Sequence, residues 1–271
     1  MSKSSIPWVF RVVLSSLVVG AAVLGCVVVA RHADQEALRP QATCHAVGCY
    51  CEAVQPIGVR QPVDAWSSLA PALGGAVVLA WSLGRRGGSA LSSSRAPGVL
   101  LALAACSISV FSFHYHATLT WLGEWLDGVS LFLLAGFGIA WAIARRRSDG
   151  GLGFSLVYLG LAAVPAAISW WIPVVRKIAF LALVATAVTV ELRWRRRQLT
   201  EAEGGWFVAA LSCFGLALVA WMLDWYRVVC APKAVYQLHA LWHLLSAPTI
   251  ILLYGYFRSE RVRPDRLAVT S

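Results

Sequence analysis

Long apolar stretches dominate the chain, and short polar or basic segments separate them. The eight stretches cover residues 8–30, 63–84, 96–119, 125–144, 152–172, 175–192, 205–223 and 234–257. A helix needs about 20 apolar residues to cross a bilayer, and none of these stretches shows the polar–apolar alternation of a spanning strand. The pattern therefore predicts eight transmembrane helices. The sixth is the weakest of them, because its uncharged core, residues 178–190, is short.

The composition agrees with a membrane protein. Of the 271 residues, 59% are hydrophobic and only 13% are charged, and the mean hydropathy is +0.68. These values exclude a disordered chain, a soluble globular enzyme and a coiled-coil rod. We therefore predict an all-α integral membrane fold.

The distribution of basic residues predicts an orientation. If the N-terminus is cytoplasmic, 16 of the 23 Lys and Arg residues lie on the cytoplasmic side and seven lie outside. Cytoplasmic loops of membrane proteins are enriched in Lys and Arg, so we place both termini in the cytoplasm. The same rule accounts for the net charge of +10 without a nucleic-acid partner.

The two ends of the chain form separate segments in this topology. Residues 1–30 are predicted to be an N-terminal transmembrane helix, with a signal anchor or cleaved signal peptide as the alternative. Residues 23–26 loosely resemble a lipoprotein cleavage site that ends at Cys26. The apolar run continues beyond Cys26, and this favours an uncleaved helix. Residues 31–62 then form an external segment, and residues 258–271 form a basic cytoplasmic tail.

The seven cysteines fall into two groups. Cys26, Cys106 and Cys213 lie inside predicted spans, where thiols usually serve packing. The other four lie on the external side, where an oxidising compartment permits two disulfides. We prefer the pairs Cys51–Cys230 and Cys44–Cys49. A metal cluster of Cys44, His45, Cys49 and Cys51 is the alternative, although its spacing does not fit a standard zinc ribbon.

Ionisable residues inside membrane spans are expensive and are usually functional. They are Asp64, His114, His116, Asp127, Glu191, Asp224, His239 and His243. His239 and His243 are four residues apart and therefore share one helix face, and Ser112 and His116 have the same spacing. His114 should point roughly the other way. On our topology, Ser112, His116, Asp127, His239 and His243 all reach the external half of the membrane.

Three histidines with an open fourth position form a catalytic zinc site. We therefore predict zinc on His116, His239 and His243. Asp127 would act as the general base on a water molecule or would orient a histidine, and Ser112 would donate a hydrogen bond to a developing oxyanion. The alternative is that these polar groups only bond to one another across helices.

Several motifs of this chain resemble the signature of the alkaline ceramidases, which belong to the CREST superfamily of seven-span membrane hydrolases. These motifs are Ser112-x-x-x-His116-Ala117-Thr118-Leu119, Asp127, and His239-Ala240-Leu241-Trp242-His243. Further matches are Cys51-Glu52, the Trp66-Ser67-Ser68 region, Asp224 and Cys230. The resemblance covers about residues 49–257. It implies a catalytic seven-span bundle at 63–257, to which the first helix is an addition.

The resemblance implies a zinc-dependent amidase that cuts the N-acyl bond of ceramide, or of a similar lipid, into a sphingoid base and a fatty acid. It also implies a disulfide between Cys51 and Cys230. Animal members bind calcium through a segment at this position. In this chain the segment reads Cys49-Tyr50-Cys51-Glu52-Ala53-Val54 and differs from theirs. Only Glu52 and Asp64 keep an oxygen ligand, and calcium needs six to eight oxygens, so we expect a weakened calcium site or none.

Two other functions remain open from the sequence. A phospholipase-like lipid esterase of the same superfamily would keep the zinc and cut a different bond. A non-enzymatic receptor, or a bis-histidine haem protein, would use the same histidines without hydrolysis.

Overall fold

The structure, a computed structural model, describes residues 6–46, 48–84, 95–147, 152–196 and 200–262. Its helices are α1 (Trp8–Glu36), α2 (Pro62–Ser67), α3 (Ala70–Ser82), α4 (Ala96–Thr118), α5 (Trp121–Arg147), α6 (Leu152–Trp171), α7 (Val175–Arg196), α8 (Gly204–Trp225) and α9 (Leu238–Ser259). A 3-10 turn covers Thr43–Ala46, and β1 (Thr200–Glu201) pairs antiparallel with β2 (Arg261–Val262). Most of the predicted basic tail, and the loop between α3 and α4, lie outside the described residues.

The predicted helical membrane bundle is confirmed. Within the described ranges, seven helices are long and apolar enough to cross a membrane, with α2 and α3 counted as one. The eighth, α7, is 22 residues long but carries charges near both ends, which keep it outside this set. It nevertheless packs against α5 and α6 as a full member of the bundle.

Several helix boundaries differ from the prediction, and three of them are informative. Helix α1 runs on to Glu36, because hydropathy marks where a helix leaves the membrane and not where it ends. Helix α5 begins at Trp121, four residues early, since α4 ends in a tight turn with Leu119 in the left-handed conformation (φ 49°). Asp127 therefore lies in the second turn of α5, not in the first. Helix α9 begins at Leu238 instead of residue 234.

The second predicted span is broken between α2 and α3. The Ser68 hydroxyl at this break donates to the carbonyl of Ala65 (2.6 Å) and reaches that of Ser109 on α4 (3.2 Å). The Ser109 hydroxyl in turn accepts from the backbone N–H of Ala72 in the first turn of α3 (2.8 Å), where a helix N–H lacks its usual carbonyl partner. The break allows α2 to approach the C-terminal end of α4 and the N-terminal end of α9, against which it packs.

Small residues permit close helix contacts around α3. A Cβ added to Gly74 would lie 2.9 Å from the carbonyl oxygen of Ala247 on α9. One added to Gly75 would lie 2.9 Å from the carbonyl oxygen of Ala102 on α4. Since transmembrane helices associate through such close packing, α3, α4 and α9 form a tight group that carries the three predicted metal ligands.

Candidate metal centre and its cavity

Three histidines from two helices meet in the interior of the bundle. His116 lies in the last turn of α4, and His239 and His243 lie in the first two turns of α9. All three are buried, and their ligand nitrogens lie within 4.8 Å of one another. In the described part of the chain this is the one group of three or more His, Cys, Asp or Glu side chains close enough to hold a metal ion. His114, as expected, points away, and its ring lies 3.8 Å from Glu36.

The hydrogen bonds of the rings fit metal binding. The Nδ1 of His116 lies 3.0 Å from the amide oxygen of Gln61, so Nδ1–H can donate and Nε2 is left as the free base. That Nε2 faces the Nε2 of His239 at 3.0 Å. The Nδ1 of His243 contacts the Ser67 hydroxyl at 2.9 Å, which again frees Nε2. Unprotonated nitrogens that converge in this way suit one small ion.

Ser112 and Asp127 complete the inner part of the site. The Ser112 hydroxyl lies 3.2 Å from Nε2 of His243, and it is also a close neighbour of the Asp127 carboxylate. Asp127 therefore reaches the histidines through Ser112 and also faces the adjoining cavity. The two residues expected to assist the chemistry are thus placed together beside the metal ligands.

Two buried carboxylates hold the backbone around the site. Asp224 accepts hydrogen bonds from the backbone N–H of Cys51 (2.8 Å) and of His239 (3.1 Å). The contact with His239 depends on the later start of α9, because Asp224 accepts from a free N–H group of that helix end. Glu52 accepts from the N–H groups of Val63 (2.8 Å) and Asp64 (2.9 Å) at the start of α2.

Glu52 and Asp64, the residues considered for a residual calcium site, lie at the start of α2. Both oxygens of Glu52 already serve the start of α2, and Asp64 is fully buried. Burial raises the pKa of Glu52, and the two N–H donors partly offset this effect. Among the described residues, Glu52 and Asp64 join no third His, Cys, Asp or Glu as a metal-binding group.

The four cysteines predicted to lie outside the spans form two disulfides, Cys44–Cys49 and Cys51–Cys230. The sulfurs that the alternative metal cluster required are therefore used in these bonds. Tyr50, which stands between them, stacks its ring on His239 with 3.7 Å between centroids. Its hydroxyl accepts a hydrogen bond from the indole of Trp221 (3.1 Å), and burial raises the pKa of this phenol well above its usual value.

A cavity of about 350 Å³ adjoins the three histidines. It lies between the first turns of α5, α7 and α9 and the last turn of α8. Apolar and aromatic side chains form much of its wall: Leu131, Phe180, Trp221, Trp225 and Trp242. Asp127, His239 and His243 face the same space, so a lipid of mixed polarity could bring its polar end to the histidines.

Comparison with known proteins identifies the family. The ceramidase family model matches residues 87–268, which is more than half of the chain. The chain belongs to the ceramidase family. This confirms the resemblance read from the serine, histidine and aspartate motifs. An alkaline ceramidase of Drosophila melanogaster is 23% identical over 172 residues, and the match covers 59% of this chain and 59% of that relative.

Gln61, Ser67 and Tyr50 contact the histidines but were not predicted as site residues. Gln61 and Tyr50 precede α2 in the external segment, and Ser67 ends that helix. No periodic pattern relates them to residues more than 50 positions away in the chain. Of these three residues, only Ser67 lay in a motif of the family resemblance, the Trp66-Ser67-Ser68 region, and it was not assigned a role there.

Proposed function

We propose that this membrane protein is a zinc-dependent amidase that hydrolyses the N-acyl bond of ceramide or of a similar lipid. The observation that carries the proposal is the convergence of His116, His239 and His243 beside a cavity in a chain of the ceramidase family. The name of the Drosophila relative supports the same substrate class.

The three histidines would hold the ion through Nε2. A bound zinc ion would supply a Lewis acid that polarises the amide carbonyl and lowers the pKa of a water molecule. Gln61 would keep His116 in the tautomer that can bind metal, since its amide oxygen accepts the Nδ1 proton. Ser67 would have the same function at His243. The short separations leave no room for a macrocycle between the rings, which disfavours the haem alternative.

Asp127 would transfer the proton of the attacking water, and Ser112 would donate a hydrogen bond to the reacting carbonyl. In amide hydrolysis a new C–O bond forms from water to the carbonyl carbon, and the C–N bond breaks. Asp127 would accept the proton that water releases and would return it to the leaving amine. Ser112, which lies between Asp127 and His243, would donate to the oxygen that gains negative charge in the transition state.

The cavity would orient the lipid. Its aromatic wall would hold the chains next to Phe180 and Trp242, with the amide toward the histidines. Because both chains are lipid-soluble, we expect the substrate to enter laterally between helices. The basic-residue distribution supports a reaction on the external side of the membrane, with both termini in the cytoplasm.

Metal analysis and lipid hydrolysis on the same samples test this function. We expect about one zinc per purified wild-type chain and release of fatty acid from ceramide, with both lost in His116→Ala. A matched ester analogue separates the amidase from the lipid esterase of the same superfamily. Ceramide hydrolysis by His116→Ala at the wild-type rate would refute the proposal.

A further inference from the structure

Arg176 carries hydrogen-bond donors into the cavity without an acceptor. It lies in the first turn of α7 and is only 6% exposed. Its Nε donates to the carbonyl of Pro173 (3.2 Å), and Nη2 pairs with Glu124 (3.1 Å). Its Nη1 has no hydrogen-bond partner among the described residues. Buried polar groups of proteins are nearly always bonded, so an open guanidinium nitrogen at a cavity wall points to a ligand.

Gly128 on α5 makes room for this arginine. A Cβ at Gly128 would lie 3.2 Å from Cδ of Arg176 and 3.4 Å from its Cγ. The side chain therefore passes directly over Gly128, next to Asp127. A larger residue at 128 would push the guanidinium out of the cavity wall.

Lys177 adds a second cation at the same cavity. Its Nζ lies 2.7 Å from the ring centroid of Trp225, and within the described ranges it has no carboxylate partner at ion-pair distance. The ring covers one side of the ammonium, and the N–H groups on its other side can donate to a ligand. Lys177 therefore contributes donors and no acceptor, as Arg176 does.

Glu124, the carboxylate that pairs with Arg176, is already engaged. Glu124 accepts from the backbone N–H of Thr43 (2.7 Å) and from its hydroxyl (2.6 Å), in addition to its pair with Arg176. Asp127 lies on the side of the cavity next to Ser112 and the histidines. The free groups at this end of the cavity are thus donors on two cations. Their complement is a group rich in acceptors and negatively charged, not an amine.

We propose that Arg176 and Lys177 form an anion-binding subsite that takes the phosphate or carboxylate of a lipid. The anion has two sources: a phosphate headgroup on the lipid substrate, or the carboxylate of the released fatty acid. The inference rests on the proposed function for the identity of the lipid. The anion binding itself does not require hydrolysis.

Calorimetric titration of the zinc-loaded protein in nanodiscs tests this subsite without an activity measurement. The probes are hexyl phosphate, hexanoate and hexan-1-ol, which share one chain and differ in the polar group. For wild type we expect an anionic probe to bind at least about tenfold more tightly than hexanol. Tighter phosphate binding assigns the subsite to a headgroup, and tighter hexanoate binding assigns it to the product acid.

Arg176→Met and Lys177→Met should each reduce this preference about tenfold while zinc content stays at the wild-type value. A preference that is lost while zinc is retained shows that the ion alone does not account for the anion binding. Lys233→Met, at an exposed external lysine, is the matched control and should keep the preference. If Arg176→Met fails to fold, the anion preference of Lys177→Met alone tests the subsite. Equal binding of hexanol and both anions by wild type, or a preference that survives in the folded variants, would overturn the inference.

Discussion

At the scale of single residues, the site depends on which nitrogen of each histidine carries the proton. Gln61 is fully buried, and its amide oxygen faces Nδ1 of His116 at 3.0 Å. Its own amide nitrogen reaches the carbonyl of Glu52 (3.2 Å), which fixes the orientation of the amide. A partner of this kind holds the ligand ring and raises its basicity.

Gln61→Leu should therefore weaken zinc binding about 10- to 100-fold while the three histidines remain. Competition with a chelator of known affinity measures the change. Gln55→Leu, an exposed glutamine six residues earlier, is the control and should bind zinc like wild type. Wild-type zinc affinity in Gln61→Leu would mean that His116 does not need this partner.

Tyr50 should support His239 mainly through its ring. Tyr50→Phe keeps the stacking face and loses only the bond from Trp221, so we expect zinc affinity within about threefold of wild type. Tyr50→Ala opens a gap beside His239 and should cost at least about tenfold in zinc affinity. The same chelator competition distinguishes the two variants, and an Ala variant that matches the Phe variant would contradict the role of the ring.

Residue patterns predicted part of this site. The spacing of four in Ser112–His116 and in His239–His243 is a helix repeat, so each pair could be placed on one face without a structure. Gln61 and Tyr50 stand in an irregular segment, where no repeat links a residue to its spatial neighbours. Their contacts arise from the break after α2 and from the disulfides, and these are tertiary features.

At the scale of elements, the segment before α2 is fixed by covalent and polar links to distant helices. Cys51 is bonded to Cys230, and its N–H donates to Asp224 at the end of α8. Arg227 also binds the carbonyls of Cys49 (3.1 Å) and Tyr50 (3.0 Å). This short segment is therefore tied to the polypeptide just before α9.

The two disulfides should differ in their effect on stability. Cys51–Cys230 closes a loop with a sequence separation of 179, whereas Cys44–Cys49 has a separation of 5. In the chain-entropy model the longer loop gives the larger stabilisation, roughly 5 against 2 kcal/mol. Thermal unfolding should show a larger fall in Tm for Cys51→Ser/Cys230→Ser than for Cys44→Ser/Cys49→Ser. Cys106→Ser, at an unpaired thiol, is the control; equal falls in the two double variants would contradict the expectation.

Hydropathy alone made α7 the weakest predicted span, because it contains charged residues. Its Glu191 is buried and paired with Arg145 of α5 (2.6 Å), and it accepts from the Tyr256 hydroxyl of α9 (2.5 Å). Arg145 also pairs with Glu260 (3.0 Å). A hydropathy window counts these charges as unfavourable, because it cannot register that each has a partner inside the bundle.

At the scale of the whole molecule, the number and type of spans follow from apolar length. The helix ends, the break at Ser68 and the start of α9 depend instead on side chains that satisfy backbone groups locally. This difference matters for the site, since Asp224 can reach His239 only because α9 starts at Leu238. The sequence therefore predicted which helices meet more accurately than where each one begins.

The sidedness of the site is the remaining whole-molecule prediction, and the thiol chemistry of the chain makes it testable. Of the seven cysteines, four are in disulfides and the others lie within spans, so a new surface cysteine should dominate labelling by a membrane-impermeant maleimide. Gln55→Cys, near the site, should react in intact cells. Arg261→Cys, just beyond α9, should react only after permeabilisation, because the basic residues favour a cytoplasmic position. The reverse pattern would place the histidine centre on the cytoplasmic side, and the lipid would then have to approach from the inner leaflet.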